Sequence, residues 1–136
     1  MALQTAEGPQ VDDRTAIRQA ALDYLQGWYE GDAERMRRSL HPELAKRTIL
    51  RDPQTGEPRF HHISQQQMVT WTQQGGGTAT SPDQRFYDVT TLDVYGDIAC
   101  ARAESYGFVD YLHLARCEGA WVIVNVLYMR RLTSPD

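Results

Sequence analysis

Apolar residues recur at helical spacing in the first third of the chain. Between Asp12 and Gly31 they fall at i, i+3, i+4, i+7, i+8 and i+11, which indicates an amphipathic helix. These positions are Ile17, Ala20, Ala21, Tyr24, Leu25 and Trp28. Gly31 suits the left-handed position that commonly ends a helix, and Asp32 then caps a shorter one. Pro42 stops this second helix, because the residue before a proline disfavours helical geometry, so His41 is predicted to lie at the helix exit.

A third helix carries a full start signal. Ser64 and Gln67 fit a capping box, and Ile63 and Met68 occupy the two positions of a hydrophobic staple. Three glycines end this helix and open the stretch 75–83. That stretch is expected to act either as a lid or as a linker.

The remaining segments read as β-structure. Residues 46–62 combine β-forming residues with an internal turn signal, which predicts two short strands. Residues 84–130 form long runs rich in Val, Ile, Thr, Tyr and Phe, separated by the turn signals Gly96-Asp97 and Glu118-Gly119. An antiparallel meander is therefore predicted, with Gly107 marking a bend or bulge between two strands.

Alternation along the predicted strands places two polar side chains on apolar faces. Asp110 shares its face with Phe108, Leu112 and Leu114. Asn125 shares its face with Trp121, Ile123 and Leu127. Both side chains are therefore predicted to point into the interior.

The chain has 136 residues, which suits one domain. We expect that domain to span residues 12–131, with loosely ordered tails at 1–11 and 132–136. Helices followed by a long sheet indicate an α+β fold, with three N-terminal helices packed on the concave face of a strongly curved, mainly antiparallel sheet. A cone with a pocket is the expected shape.

Charge and motifs exclude several functions. The net charge of −4 argues against nucleic acid or an anionic membrane as a partner. The chain lacks a signal-peptide pattern and any apolar run of about 18 residues, so a cytoplasmic protein is expected. No metal-ligand spacing, phosphate loop or dinucleotide fingerprint occurs, so neither a metal nor a cofactor is expected. Lys46 is the only lysine, a bias that by itself points to no function.

Three segments resemble the nuclear transport factor 2-like superfamily, which includes ketosteroid isomerases and polyketide cyclases. They are residues 21–32 (ALDYLQGWYEGD), residues 40–47 (LHPELAKR) and residues 110–125, which hold DYLHL and GAWVIVN. The chain looks most like the lumazine-binding branch. This resemblance implies a cystatin-like cone fold and a homodimer formed through the sheet.

His41 and Asp110 are the candidate catalytic residues. An imidazole facing a cavity acts as acid or base near neutral pH, and burial raises the pKa of a carboxyl into a usable range. The alternatives are structural, with His41 interacting with a helix end and Asp110 paired with Arg102 or Arg47. Either side chain outside the cavity would remove this pair and favour a non-catalytic protein.

Six further residues are candidate ligand contacts, since small-molecule pockets combine apolar walls with a few polar groups. They are Tyr24, Trp28, Trp71, Tyr87, Tyr106 and Asn125. For the aromatic residues, plain core packing is the alternative.

Two functions follow from these observations. The first is a small-molecule-binding protein with an apolar pocket for an aromatic or cyclic ligand, with isomerisation or dehydration as the fitting proton-transfer chemistry. The second is a non-catalytic dimeric interaction module with a vestigial cavity. An enzyme needs two polar groups within hydrogen-bond reach of one point in a ligand-sized cavity, and the module does not. Val122, Val124 and Val126, on the face opposite Trp121, are expected to lie in the dimer interface.

Overall fold

The computed structural model describes residues 12–132, in which three α-helices lie against a six-stranded sheet. The helices are α1 (Asp13–Glu30), α2 (Ala33–Ser39) and α3 (Gln65–Gln73). The strands are β1 (Leu40–Arg51), β2 (Pro58–Ile63), β3 (Tyr87–Tyr95), β4 (Ile98–Ser105), β5 (Phe108–Cys117) and β6 (Ala120–Arg130). The predicted tail at 1–11, and all but the first residue of the tail at 132–136, lie outside the described residues.

The strand order is β2-β1-β6-β5-β4-β3. All neighbours pair antiparallel except β1 and β6, which are parallel. The predicted α+β class with a mainly antiparallel sheet is confirmed. The parallel pair makes β1, which leaves the helical layer, an interior strand between β2 and β6.

Local sequence signals explain where the helices begin and end. Asp12 and Asp32 each accept a backbone N–H from the first turn of α1 and α2, and Gly31 adopts the left-handed conformation with φ of 69°. Ser64 and Gln67 form both hydrogen bonds of the predicted capping box. The three predicted helices are present.

The core lies between the helices and one face of the sheet. Ala99, Ala101 and Ala103 of β4 are buried and small, so α1 can lie close to the strand. Leu112 and Ile123 of the next two strands are fully buried on the same side. Burial of apolar area on this face is the main stabilising contribution to the fold.

The strands depart from the predicted pattern in one place. β1 begins at Leu40, directly after α2, six residues earlier than expected. Gly107 lies in the two-residue bend between β4 and β5, as predicted. Within residues 12–132, no helix is long and apolar enough to cross a membrane.

Candidate functional site

A partly open cavity of about 190 Å³ lies between the helical layer and the sheet. Its apolar walls include Trp28, Ile63, Met68, Trp71, Phe108 and Tyr128. A cavity of about 150 Å³ with apolar walls can hold benzene. The space therefore suits one ring with a small substituent, with room to extend toward the opening.

Three polar side chains form a hydrogen-bonded relay in this cavity. The Tyr24 hydroxyl donates to Asp110 Oδ2 at 2.5 Å, and Lys46 Nζ donates to the Tyr24 oxygen at 2.6 Å. Lys46 Nζ lies 4.0 Å from Asp110 Oδ2, so the tyrosine hydroxyl connects the two charged groups. All three residues are buried, with 4 %, 6 % and 4 % exposure for Tyr24, Lys46 and Asp110.

The fold brings these three residues together from distant parts of the chain. α1 supplies Tyr24, β1 supplies Lys46 and β5 supplies Asp110. Tyr128 of β6 lies between the two strands, because its register partners are Asp110 on β5 and Thr48 on β1. Lys46 Nζ also lies 4.7 Å from the centre of the Tyr128 ring, in a cation–π arrangement.

Burial shifts the pKa of all three groups toward their neutral forms. It raises the pKa of the Asp110 carboxyl despite the opposing effects of Lys46 and the Tyr24 hydroxyl. It lowers the pKa of the Lys46 ammonium, which the nearby Asp110 offsets only in part. Burial, followed by the Asp110 charge, raises the pKa of Tyr24 well above its ordinary value, so Tyr24 stays a neutral hydroxyl.

The relay retains hydrogen-bonding capacity for a ligand. Oδ2 of Asp110 is occupied by Tyr24, whereas Oδ1 has no hydrogen-bond partner among residues 12–132. Among the same residues, the Lys46 amine donates one hydrogen bond, to Tyr24, although an ammonium has three donors. A ligand in the cavity can therefore meet a carboxyl oxygen and an amine near one point.

Packing behind Trp28 fixes one wall of the cavity. A Cβ added at Gly77 would lie 2.1 Å from the Trp28 backbone oxygen, and one at Gly76 would lie 2.5 Å from the Trp28 ring. The glycine segment therefore lies directly against this wall.

Four of the eight predicted site residues line the cavity: Tyr24, Trp28, Trp71 and Asp110. Asp110 lies on the interior face, as strand alternation predicts. Tyr87 and Tyr106 lie outside the cavity. The Tyr87 hydroxyl accepts a hydrogen bond from the Gln26 side chain, and Tyr106 is 46 % exposed in the β4–β5 turn.

His41 also lies outside the cavity, so the predicted pairing of His41 with Asp110 is wrong. β1 begins at Leu40, and the imidazole Nδ1 accepts the backbone N–H of Glu43 at 2.9 Å. The ring is therefore engaged by its own strand, away from Asp110.

The interior placement of Asn125 is wrong because β6 contains a bulge. His113 is the register partner of Asn125, while the next β5 residue, Leu114, is the partner of Ile123. The extra residue, Val124, inverts the alternation, so Asn125 lies 3.3 Å from the His113 ring and Val126 points inward. The prediction that Val126 lies on the outer face is wrong for the same reason.

Lys46 is the residue that the sequence argument missed. Alternation in β1 offered a signal, since Lys46 falls between the buried residues Leu44 and Thr48 at spacings of two.

Within residues 12–132, no group of three His, Cys, Asp or Glu side chains is placed to hold a metal ion.

Helices against a mixed sheet, with a buried polar relay in an apolar cavity, define an α+β domain with a candidate ligand site. The model of the family described as "Putative lumazine-binding" matches residues 12–129, and the chain belongs to this family. A search of curated proteins finds no match.

Solved structures described as nuclear transport factor 2-like share the fold of this chain. A protein of this class from Silicibacter pomeroyi, of unknown function, is 21% identical, with a TM-score of 0.71 over 88% of this chain and 97% of the other. One from Shewanella baltica is 19% identical, with a TM-score of 0.73 over 93% and 100%. A ketosteroid isomerase-like protein from Erwinia carotovora is 10% identical, with a TM-score of 0.61 over 90% and 98%. Likeness at these identities shows the fold alone.

Proposed function

We propose that this protein binds a small aromatic or cyclic molecule in the cavity, and that the relay of Asp110, Tyr24 and Lys46 moves a proton to or from one polar substituent. The observation that carries the proposal is the buried relay in an apolar cavity of ring size. A buried carboxyl and amine cost free energy, so their presence in an otherwise apolar site favours a chemical role.

The cavity walls and the relay select for different parts of a ligand. Trp28, Trp71 and Phe108 favour a planar apolar body. Asp110 Oδ1 can accept a hydrogen bond from the ligand, and Lys46 can donate one to it. A ring that carries an N–H or O–H group beside a carbonyl oxygen matches both. The family is described as "Putative lumazine-binding". Lumazine is a fused heterocycle that carries an N–H group beside a carbonyl oxygen.

Asp110 is the group that we expect to exchange a proton with the ligand. Its raised pKa brings the carboxyl nearer to neutral pH, where a general acid or base is most effective. Tyr24 links Asp110 to Lys46 and can pass a proton between them. Isomerisation and dehydration both need such a proton transfer. In this proposal Lys46, in place of His41, is the second proton-transfer group beside Asp110.

Binding can be tested by recording the indole N–H signals of the protein while lumazine or benzyl alcohol is added. We expect the Trp28 and Trp71 signals to shift, because both rings line the cavity. Trp121 is the internal control, since its indole contacts Asp13, away from the cavity. Equal shifts of all three indoles, or a shift of Trp121 alone, would contradict binding in the cavity.

A non-catalytic dimeric module is the second candidate. Tyr111 and Leu127 are register partners on the outer face of the sheet, and each is 50 % exposed. Adjacent exposed apolar side chains favour an interface. This function makes no use of the relay, so substitution of Asp110 or Lys46 would leave it unchanged.

A further inference from the structure

We propose that Lys46 is a nucleophile that captures aldehyde or ketone ligands as an imine within the cavity. This inference rests on the proposed ligand-binding function and assigns its substrate class as carbonyl compounds.

The placement of Lys46 is the first argument. It is the only lysine of the chain, yet it is 6 % exposed and lines an apolar cavity. Lysine is rarely buried to this degree without a close partner. Its carboxylate neighbour, Asp110, is 4.0 Å away, and the nearer contact is the neutral hydroxyl of Tyr24 at 2.6 Å. The amine is therefore held in the cavity without a close ion pair.

The chemistry of an imine requires a neutral amine. Burial lowers the pKa of Lys46, which increases the fraction of neutral amine near neutral pH. Desolvation in an apolar pocket is a known way to activate a lysine toward carbonyl groups. Arginine does not lose its proton near neutral pH. The sole lysine can therefore become a neutral nucleophile, whereas the arginines of the chain cannot.

The neighbouring groups can carry the protons of the reaction. The neutral Nζ attacks the carbonyl carbon, a C–N bond forms, and a proton moves from nitrogen to the former carbonyl oxygen. Asp110 then protonates the hydroxyl group, directly or through Tyr24, and the C–O bond breaks to release water as C=N forms. The nitrogen returns its remaining proton to Asp110. An aldehyde and an amine thus give an imine and water, with no oxidant or reductant.

Benzaldehyde with sodium cyanoborohydride tests this step, because the reductant converts an imine into a stable benzyl amine. Intact-mass measurement followed by peptide mapping assigns the benzyl group to Lys46 or to the α-amino group, the only two amines of the chain. We expect rapid, single labelling of Lys46 at neutral pH. Labelling confined to the α-amino group would overturn the proposal.

A matched variant moves the lysine to an exposed position. Arg47 is the next residue of β1 and is exposed, so Lys46→Arg combined with Arg47→Lys keeps the charge and offers an ordinary lysine. A lowered lysine pKa raises the neutral fraction of the amine near neutral pH, so we expect labelling at Lys46 in the wild type to be severalfold faster than at the exposed lysine of the double variant. Equal rates would show that the cavity does not activate Lys46.

Competition in the wild-type protein gives a second test that needs no variant. Saturating benzyl alcohol fills the cavity but cannot form an imine. It should slow labelling of Lys46 severalfold and leave labelling of the α-amino group unchanged. If benzyl alcohol shifts the Trp28 and Trp71 signals while Lys46 stays unlabelled, the imine proposal fails and ligand binding stands. If neither compound enters the cavity, both proposals fail.

Discussion

Burial and a neighbouring charge have opposite effects on the pKa of Asp110. Burial raises the pKa of its carboxyl above the ordinary 3.8, and Lys46 reverses only part of that shift. The folded protein therefore holds this proton more tightly than the unfolded chain does. The resulting stabilisation is complete below the unfolded pKa and is lost as the pH rises through the folded pKa.

The Asp110→Asn variant tests this effect, because asparagine keeps the shape and does not titrate. We expect the free energy of unfolding of the wild type, relative to the variant, to fall as the pH is raised above 3.8 and then to level off. Urea denaturation at a series of pH values measures the difference. A difference that grows with pH would mean that Asp110 is stabilised as the carboxylate.

Individual side chains show what strand alternation can and cannot predict. Asp110 is correctly placed because β5 keeps its alternation through the buried Leu112 and Leu114, and the bulge of this strand pair adds its extra residue to β6. Asn125 is misplaced because Val124 adds one residue to β6, which a sequence pattern does not reveal. Lys46 was missed because the predicted strand began at residue 46, so the alternation of Lys46 with the buried Leu44 was not part of the predicted pattern.

At the scale of elements, α3 depends on its start signal. The Ser64 hydroxyl accepts the Gln67 N–H at 3.1 Å, and the Gln67 side chain accepts the Ser64 N–H at 3.1 Å. We expect Ser64→Ala to lower the free energy of unfolding by about 1 kcal/mol, because it leaves a first-turn N–H without its partner. Thermal or urea denaturation measures this, with Ser64→Thr as the control that keeps the oxygen. Equal loss in both variants would argue against a capping role.

The glycine segment after α3 supports the cavity wall at Trp28. Gly77 has no room for a methyl group, since its Cβ would lie 2.1 Å from the Trp28 backbone oxygen. We expect Gly77→Ala to lower the melting temperature and to weaken lumazine or benzyl alcohol binding. Gly107→Ala is the matched control, because no atom lies within 4 Å of its added Cβ.

Calorimetric titration and a melting curve for each variant give both quantities. If Gly77→Ala lowered stability but left the affinity for the ring compound unchanged, the segment would support the fold without shaping the cavity. If Gly107→Ala had an equal effect, the close contact with Trp28 would not be its cause.

At the scale of the whole molecule, the outer face of the sheet predicts a homodimer. Tyr111 and Leu127 are half exposed next to each other, and Met129 is 47 % exposed on the same strand as Leu127. A second copy that covers this face would bury them. We expect light scattering at micromolar concentration to give twice the 15.5 kDa of one chain.

Leu127→Glu should shift this dimer toward monomer, because a charge would be buried at the interface. Phe60→Glu on β2, at the edge of the sheet, is the control for adding a charge at an exposed apolar position. A wild-type mass of 15.5 kDa would contradict the dimer.

The fold was largely predictable from the sequence, while the site was predictable only in part. Caps, turns and periodicity are local signals, and they place α1, α2, α3 and the meander. The relay joins residues that are 22 and 86 positions apart, and their contact depends on the parallel pairing of β1 with β6. No local pattern encodes that pairing, so Lys46 and Asp110 met only in the folded structure.

A crystal structure with a bound ring compound tests the central claim most directly. Crystals would be soaked with whichever of lumazine or benzyl alcohol shifts the Trp28 and Trp71 signals more. We predict electron density for the ring in the cavity beside these two indoles, with a polar atom within about 3.2 Å of Asp110 or Lys46. Density for the ring elsewhere, such as beside His113 and Asn125 on the outer face, with none in the cavity, would contradict the claim.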